Sequence, residues 1–115
     1  MTDLSAGLSS EDAKLVTLAR ATRARTRAAE GAAVRDLDGR TYAAASVSLP
    51  SLQLSALQAC VAMAIASGST GLEAAVVLSD GLARTGLDTV REFAGAGVPI
   101  HVADARGAIA ETILA

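Results

Sequence analysis

Residues 74–78 read Ala-Ala-Val-Val-Leu, five apolar side chains with no polar interruption. A strand of that kind has no solvent face, so it belongs in the middle of a sheet with other layers packed on both sides. That requirement governs how the rest of the chain is read. The cover must be built from small residues. Of 115 residues 27 are Ala, and aromatics make up 2% while hydrophobic residues reach 51%. Side chains this small pack thinly, so an oligomer interface is expected to supplement the core.

Helical and extended patterns alternate on either side of that strand. Residues 1–10 show no apolar periodicity and are expected to be a flexible leader, followed by a single domain over 11–115. Ser9 with Asp12 suggests a cap, and Leu15, Leu18, Ala19, Thr22, Thr26 and Ala29 recur at helical spacing, predicting a helix over about 11–28 that Gly31 breaks. Residues 32–37 and 40–47 flank Asp38-Gly39, a strong hairpin signal. Pro50 ends the returning strand. A second helix is expected to open at Ser51 or Gln53, and Leu54, Leu57, Cys60, Val61, Met63, Ala64 and Ile65 leave it almost no polar face. Such a helix is expected to be buried on all sides.

Gly68 and Gly71 end that helix before the central strand. Thr85 with Asp88 predicts the cap of a third helix carrying Leu87, Val90, Phe93 and Ala94, and residues 98–102 read as a strand. Residues 108–114 fit either a strand or a short helix. The order α-β-β-α-β-α-β, with a terminal strand left open, implies an α/β fold with parallel neighbours in one sheet.

The chemistry is bounded by scarcity. One Cys, Cys60, and one His, His101, exclude a disulfide framework, a Cys-x-x-Cys redox motif and a zinc centre of Cys and His within one chain. The net charge of −2 and a pI near 5.2 supply no broad positive field for nucleic acid or an anionic membrane. A cytoplasmic protein is the expectation, with no cofactor and no membrane association.

Gly31-Ala32-Ala33-Val34 followed by Asp38-Gly39-Arg40-Thr41-Tyr42 resembles the hairpin of the cytidine deaminase family. Residues 56–68 resemble that family's central helix, Arg91-Glu92-Phe93 resembles its LREF helix end, and Val98-Pro99-Ile100-His101-Val102 falls where it has a fourth strand. The resemblance spans residues 11–114. It implies a three-layer α-β-α sandwich around a mixed sheet of four to five strands, assembled into dimers or tetramers with the second helix near the contacts.

The same resemblance implies a zinc-bound water, three Cys or His ligands and a proton-shuttling Glu. Carried over, the first ligand falls on Ser55, the Glu on Leu57 and the paired ligands on Ala83 and Gly86, with Leu82 replacing a Pro. None of these residues can perform those roles. The ribose-binding positions fall on Ser46 and Ser48, and the base-packing Phe falls near Ala28. The chain therefore reads as a catalytically inactive member, a homo-oligomeric structural or interaction module with an unidentified protein partner as a further prospect.

Two alternatives remain. Ser55, with Ser51 and Gln53 beside it and Ser46, Ser48, Ser79 and Asp80 on the rim, would form a vestigial pocket for a nucleoside-like or anionic molecule at a helix N-terminus, but the routine use of Ser as a cap favours ordinary caps and strand-end hydroxyls. Arg20, Arg23 and Arg27, with Arg25 nearby, would offer RNA or phosphate a contact strip, but the absence of stacking aromatics favours a solvated helix face. His101 near Asp104 fits a general base with a carboxylate, or a hydrogen-bonded strand histidine. Cys60 reads as buried filler.

Overall fold

The computed structural model describes residues 3–80 and 85–115. The central strand, β5 (Leu72–Ser79), is buried at every position except Glu73. Antiparallel to it lies β1 (Glu30–Asp36), which pairs outward with β2 (Thr41–Ala45). On its other side β6 (Pro99–Ala103) runs parallel, registering Ala75 with Ile100 and Val77 with Val102, and β7 (Ile109–Leu114) closes that edge antiparallel. The five-stranded mixed sheet thus runs β2-β1-β5-β6-β7. Residues 108–114, ambiguous by periodicity, contribute a strand.

Alternation along the strands divides the core in two. Ala33, Val76, Leu78 and Ala103 face α1 (Ser10–Thr26) through Leu15 and Ala19. Ala32, Val34, Val77, Ile100 and Val102 face α2 (Ala56–Ala66) and α3 (Leu87–Ala94) through Leu57, Cys60, Val61 and Val90. The result is the expected α-β-α sandwich. Leu4 donates its amide to the Ile109 carbonyl at 3.0 Å, and the Asp3 carboxylate accepts from the Ile109 amide, so residues 3–4 lie against the start of β7.

Several boundaries differ from the sequence expectation, each for a local reason. Gly31 does not break the first helix but lies inside β1, where a Cβ would overlap the Ala19 carbonyl and Arg23 Cβ. Its missing side chain lets α1 approach the sheet. The helix ends instead at Thr26, with Arg27 in the left-handed region at φ 56°. The second helix does not open at Ser51 or Gln53. Val47-Ser48-Leu49 and Leu52-Gln53-Leu54 alternate at the two-residue period of extended chain and form a separate ribbon, β3 (Val47–Leu49) and β4 (Leu52–Leu54), turned at Pro50-Ser51. Thr85 does not cap α3; Gly86, at φ 105°, precedes it without a side-chain cap. Nor is α2 buried on all sides: Met63 is 42% and Ile65 54% exposed, because the sheet and α3 cover only part of its circumference. Among the described residues no helix is long and apolar enough to cross a membrane.

One buried carboxylate locks the hairpin to the rest of the molecule. Asp36, at the end of β1, accepts from the amides of Asp38 and Arg40 and from Arg40 Nε, each at 2.9 Å, from Tyr42 Oη at 3.2 Å, and from Ser69 Oγ at 2.6 Å. Ser69 lies in the loop after α2, so the carboxylate ties the β1–β2 turn to that loop. These donors, Ser69 foremost, outweigh burial and hold the Asp36 pKa down from 3.8 to about 2. Because the folded value is depressed, the stability it supplies is complete above roughly pH 4 and is lost as pH falls toward the folded value. Thermal unfolding of the wild type is therefore expected to shift to lower temperature between about pH 4 and pH 2. Asp36→Asn should flatten that acid limb and lower the unfolding temperature at pH 7, as read by circular dichroism.

Candidate functional site

Four of the side chains that the sequence suggested for a pocket, Ser46, Ser48, Gln53 and Ser55, gather where β1, the β3–β4 ribbon and the N-terminus of α2 meet. Ser55 caps α2: its Oγ accepts from the Gln58 amide at 3.1 Å, and Gln58 Oε1 accepts from the Ser55 amide at 2.9 Å. This reciprocal pair satisfies two backbone donors. A third, the Ala56 amide, donates to Glu30 Oε1 at 3.1 Å. Glu30 is fixed by Ser46, whose Oγ accepts from the Glu30 amide and whose amide donates to the Glu30 carbonyl, both at 3.1 Å. Ser46, Ser48 and Ser55, with Glu30, Gln53, Gln58 and Thr85, line an open cleft of about 410 Å³.

Glu30 and Gln58 escaped the sequence reading. The spacing Ser55-x-x-Gln58 is a capping-box signature and would have placed the start of α2 correctly. No local pattern marks Glu30, because its carboxylate reaches the helix only across a tertiary contact. Ser51, on the ribbon turn, does not line the cleft. Neither do the other two expected rim residues: Ser79 ends β5 in a buried position, and Asp80 pairs with Arg23 at 3.3 Å.

The residues onto which the sequence resemblance carries the family's zinc site are Ser55, Leu57, Ala83 and Gly86. Leu57 is completely buried, part of the core between α2 and the sheet. Gly86 packs directly on it: a Cβ at Gly86 would fall 2.8 Å from Ser55 Oγ and 2.9 Å from Leu57 Cβ, closer than real contacts allow. Ala83 lies outside the described residues. Ser55 Oγ is engaged as a cap, and Leu57 and Gly86 carry no donor atom, so these residues do not fit a zinc ion. Among the described residues no three His, Cys, Asp or Glu side chains converge as metal ligands.

The two soft ligands of the chain sit on opposite faces of the sheet. Cys60 packs in the core beneath α2, donating toward the Tyr42 carbonyl at 3.6 Å, and burial pushes its pKa up to about 12. Its thiol stays protonated, as filler would. His101 faces α1, with Nε2 2.9 Å from Asp12 Oδ2 and Nδ1 2.8 Å from Thr112 Oγ1. The carboxylate partner is Asp12 and not Asp104, which accepts instead from the amides of Arg106 and Ala108. Burial pushes the Asp12 pKa up, but hydrogen bonds from His101 and Arg35 and the charge of Arg35 more than offset it, and the net shift is downward.

The three arginines do not make a common strip. Arg23 lies over Gly31, donates to the Ala29 carbonyl at 3.2 Å and pairs with Asp80. Arg27 is the helix cap, while Arg20 faces the turn after β6.

A family model for cytidine deaminase-like proteins matches residues 8–107. Among solved structures, cytidine deaminase from Burkholderia pseudomallei superposes with a TM-score of 0.78 at 19% identity, covering 89% of this chain and 91% of that one. Cytidine deaminase from Mycobacterium leprae gives a TM-score of 0.67 at 23% identity, covering 87% and 91%. The enzyme from Mycobacterium tuberculosis gives 0.68 at 26% identity, covering 80% and 85%. No curated protein sequence matches the chain significantly.

The contact between Gly86 and the α2 N-terminus yields a direct test of how closely the start of α3 packs on α2. Gly86→Ala adds a Cβ to a position with positive φ and no room, and should destabilise the protein by about 2 kcal/mol or more in urea denaturation.

Proposed function

The chain belongs to the cytidine deaminase-like family, and we propose that it is a member without deaminase activity, serving in the cytoplasm as a homo-oligomeric structural or interaction module. The observation that carries this reading is the meeting of Ser55, Leu57 and Gly86. Deamination of a cytosine ring in this family needs a metal-activated water and a carboxylate to move protons. A catalytic zinc needs three side-chain ligands and an open coordination position. On three of the four positions that the resemblance assigns, the chain carries a hydroxyl engaged as a helix cap, an isobutyl group and a hydrogen atom. The sequence places Ala at the fourth. Losing ligands and proton carrier together argues against a modified version of the same reaction.

The exposed face of α2 supports the oligomeric part of the reading. Met63 and Ile65 project outward between the small residues Ala62 and Ala66, and Ile65 adjoins Phe93 of α3 along an apolar groove. Covering a side chain of this size contributes about 1.5–3 kcal/mol. The purified protein is expected to contain no stoichiometric zinc by elemental analysis, to release no uracil nucleoside from cytidine above a blank, and to elute as a dimer or larger. Stoichiometric zinc or measurable turnover would overturn the inactive reading, and a monomer at micromolar concentration would overturn the oligomeric one.

A second reading, that the cleft holds a nucleoside-like molecule, is favoured by its volume of about 410 Å³ and its lining of hydroxyl and carboxamide groups. Glu30 sets the preference within that reading, because its carboxylate already occupies the N-terminus of α2 where an anion would otherwise sit. Cytidine should then raise the unfolding temperature more than cytidine 5′-monophosphate does, since a ligand specific for the folded state stabilises it by mass action. Equal, null responses to both would remove the binding reading and leave the structural one.

A further inference from the structure

Arg20 and Arg106 converge on a groove on the opposite side of the sheet from α2. Arg20 comes from α1 and Arg106 from the turn joining β6 to β7. With Ser5, Leu8, Ala13 and Val16 they line an open groove of about 210 Å³. Gly107 holds the turn against the helix: a Cβ there would stand 3.1 Å from Val16 Cγ1 and 3.8 Å from Arg20 Cδ, at a φ of 89° that itself favours glycine.

Both arginines are exposed, and among the described residues neither side chain forms an ion pair or a hydrogen bond. Carboxylates on the adjoining segments are otherwise engaged. Asp104 accepts from the amides of Arg106 and Ala108 at 2.9 and 3.1 Å, and Asp3 accepts from the amides of Ser5 and Ile109 at 2.9 and 3.2 Å. With both guanidinium groups lining one depression, an anion seated there can accept from both. The planar guanidinium fork matches a carboxylate or phosphate group in particular. Leu8, Ala13 and Val16 give the same groove an apolar wall, which a purely inorganic anion would leave uncovered. Its volume lies below the roughly 300–1,000 Å³ of a typical drug-sized pocket, so the occupant is small.

We propose that this groove binds a small organic oxyanion, a carboxylate or phosphate monoester head on a short apolar tail. The site is independent of the cleft beside Ser55 and of whether the family reaction is retained. Titration calorimetry at low salt with hexyl phosphate, hexanoate and inorganic phosphate tests it on the full chain. Saturable binding of a tailed probe, about tenfold tighter than inorganic phosphate and weakened by added salt, is the expected result. Arg20→Ala and Arg106→Ala should each weaken that binding about tenfold, and Arg20→Lys should fall between, keeping the charge without the fork. Arg25→Ala removes the same charge from an exposed position on the same helix and should leave binding unchanged. Absence of saturable binding by both tailed probes, equal affinity for inorganic phosphate, or an equal loss in Arg25→Ala would each overturn the proposal.

Discussion

Burial of β5 on both faces is the constraint from which the rest of the architecture follows. A strand with Ala74, Val76 and Leu78 on one side and Ala75 and Val77 on the other exposes no usable solvent face. It is stable only if one layer covers each side, and the chain supplies α1 for one and α2 with α3 for the other. The parallel partner β6 follows from the same need, since the connection through α3 must return across a covered face.

Because the layers are built from small side chains, they approach closely, and glycines mark where they touch. Gly31 admits α1 to the sheet, and Gly86 brings the start of α3 against Ser55 and Leu57. Polar ties then fix what thin packing leaves loose. Asp36 anchors the hairpin to the loop after α2, while Asp12 joins α1 to Arg35 on β1 and His101 on β6, and His101 reaches Thr112 on β7. The same close packing is found at the N-terminus of α2. Leu57 is fully buried in the core, and Gly86 lies so close to it that a Cβ would not fit.

Much of the fold was legible because it rests on local periodicity and turn chemistry. Asp38-Gly39 marked the hairpin, the apolar run at 74–78 marked the central strand, and Ser9 marked the start of α1. The β3–β4 ribbon was missed because an alternation of only three residues is too short to outweigh the apolar pattern of the helix that follows. The reading of α2 as buried all round failed for a different reason. Apolar character shows which side chains favour burial, but a single chain of this size has no further layer to cover Met63 and Ile65.

For the site, the sequence alone determined which chemistry had no residues to support it. With one Cys and one His, no rearrangement of the chain could assemble the family's three zinc ligands, a conclusion about composition that needs no coordinates. Only the tertiary structure decided which residues meet: Glu30 and the N-terminus of α2, Gly86 and Leu57, Asp12 rather than Asp104 and His101, and Arg20 and Arg106 on one groove. Each of these joins residues far apart in the chain. Spacing along a helix or strand encodes which face a side chain takes, whereas its partner across a layer depends on how closely the layers pack.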